Sequence, residues 1–232
     1  MFLAMLALVG CEKCASGPPP TAPAVSTGDG GADAQGTVRY LALGDSLTQG
    51  VGAADPDTGS FPALLAGKWR AKGCKVELKD PAVAGYTAGD VFRDEVPEIA
   101  TFKPTLITLQ VGANDIANGV PLNTYRMNLR VILDAAKRSG ARVLVMPQNE
   151  WFRSPSGATY GPGLAQKRAA FDEVLIEEAK AKGAELVDLR LLFRQHADQN
   201  LWFEDGIHPT PEAYAAWATE LARLIPAPCK KK

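Results

Sequence analysis

The chain contains only two histidines, His196 and His208, so any chemistry that needs an imidazole base has two places to find it. His208 stands in "DGIHPT", three residues after Asp205 and separated from it by a glycine, a spacing at which a tight turn aims the carboxylate at one ring nitrogen. Far upstream, "LALGDSLTQG" runs from an apolar stretch into Gly44, Asp45 and Ser46. A serine hydroxyl is a poor nucleophile until a base takes its proton, and a base held by an acid is what Asp205 and His208 offer. A negative oxygen formed during acyl transfer would also need donors. Backbone N–H groups at Ser46 and at Gly85 in "AGYTAG", with the Asn114 amide in "GAND", supply three. Taken singly each has a plainer reading, as helix cap, turn glycine or loop hydrogen-bonder. His196, in "FRQHADQ", reads as a residue of a helical face or loop.

These residues must be positioned by elements. Apolar runs at Val38–Leu43, Lys75–Lys79, Thr105–Val111, Arg142–Met146 and Ala184–Leu189 read as strands. Helical segments at Phe61–Lys72, Ala88–Ala100, Thr124–Ser139 and Leu164–Lys182 alternate with them, and a last helix spans Pro211–Leu224, with Thr210 as its cap. Such alternation predicts an α/β fold with a parallel sheet covered on both faces. In that arrangement ligands bind outside the carboxyl ends of the strands, which is where Ser46, Gly85, Asn114 and the Asp205–His208 pair fall.

Together "GDSLTQG", the loop glycine Gly85, "GAND" and "DGIHPT" resemble, in order and approximate spacing, the four blocks of the SGNH or GDSL hydrolases. The resemblance extends from Val38 to about Leu224. It implies a flavodoxin-like three-layer α/β/α sandwich on a five-stranded parallel sheet, with Ser46 as nucleophile, His208 as base and Asp205 orienting it. It further implies Ser46, Gly85 and Asn114 as the oxyanion hole, and no metal or organic cofactor. The G-x-S-x-G elbow of the other large serine hydrolase class is absent, because Thr48 stands at its second glycine. Where many members carry an Asn ahead of the loop glycine, this chain has Asp80, which accepts but does not donate hydrogen bonds when ionised. Asp45 and Asp115 each adjoin a residue with another role and are expected to bond loop backbone. In the expected sheet order the first and last helices lie side by side, which would bring Cys74 and Cys229 together as a disulfide.

The expected substrate is a small ester, either a short-chain or lysophospholipid-like lipid ester or a carbohydrate O-acetyl ester. Trp151, Phe152 and Tyr160, in a long loop after the fourth strand, are candidates to wall its pocket. Trp202 and Phe203 are expected to pack the loop that carries Asp205. A binding protein that keeps the fold without turnover is the alternative of another class.

The ends of the chain point to export. The apolar run at residues 1–10 is too short to span a bilayer but suits the apolar region of a signal peptide, and "LVGC" resembles a lipobox with Cys11 as the lipidated residue. No Lys or Arg precedes that run. Cys11 and Cys14 also form a C-x-x-C, without a second such pair or a nearby histidine. Residues 11–36, rich in Pro, Gly and Ala, read as a tether with a reach of about 25–30 Å. Residues 37–229 form the expected hydrolase domain and 230–232 a basic tail. The expectation is an exported lipoprotein anchored through Cys11, facing the periplasm or the cell exterior, as a monomer. With 232 residues, 46% of them hydrophobic and 22% charged, the chain suits one globular domain. A net charge of −1 argues against a nucleic-acid partner.

Overall fold

The computed structural model describes residues 31–229. The signal segment 1–10, Cys11, Cys14, most of the expected tether and the tail 230–232 lie outside the described residues.

Five strands, β1 (Thr37–Gly44), β2 (Lys75–Lys79), β3 (Leu106–Gln110), β4 (Arg142–Val145) and β5 (Glu185–Leu186), form one sheet in the order β2-β1-β3-β4-β5. All four pairings are parallel. The central strands are apolar throughout because both faces are covered: Tyr40, Leu41, Ala42 and Leu43 are fully buried, as are Leu106 and Ile107. At the edge, β2 alternates as "KVELK" and keeps Lys75 and Glu77 exposed, which discourages pairing with another chain.

Between the strands lie α1 (Ser46–Gln49), α2 (Pro56–Gly59), α3 (Phe61–Ala71), α4 (Ala88–Asp90), α5 (Glu98–Phe102), α6 (Ala113–Ala117), α7 (Leu122–Arg138), α8 (Leu164–Lys182), α9 (Arg190–Asp198) and α10 (Pro211–Leu224). Two cores flank the sheet. On one face Leu41, Leu43, Ile107 and Val143 pack with Tyr125, Leu129, Phe171 and Leu175 of α7 and α8. On the other, Val38, Tyr40 and Leu144 pack with Phe61, Leu65, Trp69, Trp217 and Leu221 of α3 and α10. The expected three-layer α/β/α sandwich is therefore the observed one. α3 and α10 are neighbours, with the Phe61 and Trp217 rings stacked at 4.3 Å, and a disulfide joins Cys74 to Cys229 with their Cα atoms 5.5 Å apart.

Local departures from the expected elements have local causes. The helix expected over Ala88–Ala100 is broken into α4, a π-helical turn at Val91–Glu95, and α5. Pro97 lacks an N–H, and the Val96 N–H reaches back five residues to the Val91 carbonyl. The last strand is two residues rather than six: after Val187 bonds to the Val145 carbonyl, the Asp188 carboxylate accepts from the Arg190 N–H and turns the chain into α9. The tether reading also overshoots. Gly31–Gly36 are held to the domain, because Asp33 accepts from the Gln35 and Thr37 N–H groups and pairs with Arg39, while the Thr105 hydroxyl donates to the Gly31 carbonyl.

Candidate active site

β1 delivers the first candidate residue. Gly44 ends the strand where a Cβ would lie 2.6 Å from the Gln110 carbonyl oxygen and collide with Thr48, so only glycine lets the chain leave β1 at this point. Asp45 then caps α1, its carboxylate accepting from the Leu47 N–H at 3.0 Å. Ser46 becomes the first residue of that helix. The N–H of such a residue has no acceptor inside the helix and is available to a ligand. Ser46 is 8% exposed, and its side chain lines a cleft of about 230 Å³.

The partner loop is built by Asp205. Its Oδ1 accepts from the Ile207 and His208 N–H groups at 2.9 and 3.0 Å, while Oδ2 lies 2.6 Å from His208 Nδ1. Gly206 makes this possible by taking φ +71°, a conformation that favours glycine. The loop closes on itself through the Phe203 N–H donating to the His208 carbonyl at 2.7 Å and an antiparallel bridge between Trp202 and Pro209. Partial burial alone would raise the Asp205 carboxyl. The bonds from the His208 backbone, the His208 ring and Ile207 outweigh it and hold the group below its ordinary range. His208 lines the same cleft as Ser46. His196 is elsewhere, half-buried on α9 beside Trp202 and Trp217.

Gly85 occupies the third position of a turn closed by the Tyr86 N–H and the Val83 carbonyl, with φ +87°, as a type II turn requires. Asn114, on the first turn of α6, donates to the Tyr86 carbonyl at 2.9 Å and has a long 3.5 Å contact to Asp45. Both Gly85 and Asn114 line the cleft. Beneath them Asp115 accepts from the Ala88 N–H at 2.9 Å, so Asp45 and Asp115 both bond backbone, as expected, but at the first turns of α1 and α4 rather than in loops. Burial pushes Asp45 up to about 7 and Asp115 up to about 6.

Of the aromatic candidates, Trp151 and Tyr160 wall the cleft with their rings edge to face at 5.8 Å, whereas Phe152 packs against the core on the α7 and α8 side. Trp202 is half-buried and anchors the Asp205 loop through its bridge to Pro209; Phe203 is 37% exposed and abuts Gly52.

Three positioning contacts escaped the sequence reading. Gln49 Oε1 accepts from the Ala84 N–H at 2.9 Å and ties the Gly85 turn to the end of α1. Asp80, expected to serve that turn, bonds only the Ala82 N–H just ahead of it, and burial pushes it up to about 7. Glu95, fully buried, accepts from the Gly44 N–H at 2.9 Å, and burial pushes it up to about 8. Ser156 joins the aromatic loop to the Asp205 loop: its N–H donates to the Gly206 carbonyl at 2.9 Å and its hydroxyl to the Asp205 carbonyl at 2.8 Å. Gln49 lies inside the quoted "GDSLTQG" and was within reach of the sequence; Glu95 and Ser156, far away in the chain, carry no local signal.

A parallel sandwich that gathers a serine, an acid-paired histidine and several N–H donors outside β1 and β3 has the arrangement of a serine hydrolase. The chain belongs to the GDSL-like lipase/acylhydrolase family, which matches residues 42–216, and is a carboxylic ester hydrolase. It is 29% identical over 191 residues to an arylesterase of Vibrio mimicus, covering 82% of this chain and 88% of that one. It is 27% identical to the thioesterase 1/protease 1/lysophospholipase L1 of Escherichia coli K12, over 80% of this chain and 82% of that one. Among solved structures, that of TesA superposes with a TM-score of 0.69 at 24% identity, over 82% of this chain and 99% of that one.

Proposed function

We propose that Ser46 is the nucleophile, with His208 as general base, Asp205 as its orienting acid, and the Ser46 N–H, Gly85 N–H and Asn114 amide as oxyanion donors. The observation that carries this reading is the 2.6 Å Asp205–His208 pair facing the cleft that Ser46 also lines. His208 Nε2 takes the Ser46 proton as Oγ bonds to the ester carbonyl carbon, whose oxygen becomes the anion. As the tetrahedral species collapses, the ester C–O bond breaks and the imidazolium returns that proton to the departing alcohol. Water then attacks the acyl-enzyme by the same route, releasing a carboxylic acid and restoring Ser46.

The cleft favours a compact acyl or aryl group. Leu47, Ala113, Ala117, Trp151 and Ile207 give it apolar walls, and about 230 Å³ suits short and medium acyl chains better than long ones. The arylesterase relative supports the same substrate class. In a p-nitrophenyl ester series from acetyl to palmitoyl, turnover is expected to peak at the short to medium esters; a palmitoyl optimum would reject the size argument. A fluorophosphonate should label the wild type and not Ser46→Ala, which should also lose about 10⁴-fold or more in kcat. Labelling of Ser46→Ala would remove Ser46 from the mechanism.

The proposal extends to location: export, with Cys11 lipidated and residues preceding the domain acting as the tether. The apolar run before Cys11 supports it, as does the Cys74–Cys229 disulfide, which persists in oxidising compartments. Mass spectrometry of the membrane fraction that found Cys11 unmodified would overturn the anchor.

A further inference from the structure

We infer that the end of the domain opposite the cleft is a docking face for an anionic phospholipid surface. A parallel α/β chain points every strand start and long-helix end the same way, so cations that suit helix C-termini accumulate at one end of the molecule. Here Arg70, Lys72, Lys103, Lys137, Arg138 and Lys180 sit on or just past helix ends, with no carboxylate partner among the described residues. The carboxylates at that end are already engaged: Asp33 by Arg39, Glu77 by Lys75, Asp134 by Lys182 and Glu185 by Arg142. The set therefore carries an uncancelled positive charge. Lys103 and Arg138 rim a groove of about 680 Å³ there, beside the Arg39–Asp33 pair, larger than the cleft that holds Ser46 and remote from it.

The cleft end has the opposite sign. Asp55, Asp57, Glu204 and Glu212 are exposed there and have no cationic partner among the described residues, and the exposed Lys167 in the first turn of α8 offsets only one of them. A net charge of −1 thus conceals a molecule that is basic at one end and acidic at the other.

Chain geometry selects a membrane among polyanions. Gly31 packs against Pro228, so the chain enters and leaves the described domain at the basic end, and the next three residues in sequence are Lys230, Lys231 and Lys232. Docking through this face turns the cleft away from the bilayer, toward esters in solution. That consequence rests on the Ser46 reading; the docking itself does not.

The test is cosedimentation of the full chain with vesicles of phosphatidylcholine, alone or with about 30 mol% phosphatidylglycerol. Binding to the anionic vesicles is expected to be at least about tenfold tighter and to fall steeply as salt is raised to about 0.5 M. A Lys72→Glu, Lys103→Glu, Arg138→Glu variant should lose about tenfold in that binding, with unchanged thermal unfolding and unchanged hydrolysis of soluble p-nitrophenyl acetate. Equal binding to both vesicle types, as insertion of the apolar residues 1–10 would give, overturns the inference. Wild-type binding by the folded variant overturns it too, as does capture by DNA without capture by vesicles. Vesicle-bound enzyme should hydrolyse the soluble ester at its free rate. A fall of about tenfold on binding would place the cleft against the bilayer and reject the orientation, whereas a chain that docks but hydrolyses nothing would fail the Ser46 reading alone.

Discussion

At the scale of single residues, the site depends on contacts that hold loops as well as on groups that react. Gln49 is the clearest case, because its side-chain oxygen restrains the turn that presents the Gly85 N–H. Removing an oxyanion donor outright costs about 10²–10³ in kcat, so with Gly85 in its proposed role, loosening it should cost less, about tenfold. Gln49→Ala is expected to lower kcat by that amount with little change in KM, and Gln49→Glu, which keeps an acceptor, to restore most of it. An equal effect on KM and on thermal stability would show a merely structural bond. The pairing of Asp205 with His208, and the place of Ser46 in the same cleft, were legible because the proposed chemistry demands particular residue types at short or ordered spacings. Glu95 was not, since a carboxylate that bonds a backbone N–H 51 residues away leaves no trace in either local pattern.

At the scale of elements, hydrophobic pattern fixed the existence of each strand better than its ends. β1 and β3 carry uninterrupted apolar runs and fall within a residue or two of their expected limits. β5 does not, because the apolar pattern of Ala184–Leu189 reports burial, and Val187 and Leu189 are buried beyond the last strand residue. α10 began where Thr210 and Pro211 indicated, with the Thr210 hydroxyl accepting from the Ala213 N–H. That helix and α3 are clamped at their shared end by Cys74–Cys229, which closes a loop of 155 residues. A cross-link over so long a loop restricts the unfolded chain strongly and is typically worth about 2–5 kcal/mol. Cys74→Ser/Cys229→Ser should therefore unfold at lower denaturant while retaining kcat, because the bond lies at the end of the sheet away from Ser46. A denaturation midpoint equal to the wild type's would mean that helix packing alone carries this corner.

At the scale of the whole molecule, burial lifts several carboxyls of the domain above their ordinary range. Burial lifts Glu95 to about 8, Asp45 to about 7 and Asp115 to about 6, and Asp172 beneath the aromatic loop to about 6. Each lies above its unfolded value of about 4, so between pH 4 and pH 8 the native state binds more protons than the unfolded chain, and stability falls as pH rises. Carboxylates held low by partners, such as Asp33, Asp90 and Asp205, act below that window, where their stabilisation is lost on acidification. Asp80, lifted to about 7, adds to the same trend, and His196, pushed down by burial, opposes it as one half-buried group against five acids. The unfolding temperature is therefore expected to be higher at pH 5 than at pH 8. Glu95→Gln keeps an acceptor for the Gly44 N–H but cannot ionise, and it should flatten the decline between pH 6 and pH 8 in particular. A stability that climbs from pH 5 to pH 8, or a decline that Glu95→Gln leaves unaltered, would mean that these carboxyls ionise without cost and that their surroundings are wetter than the packing implies.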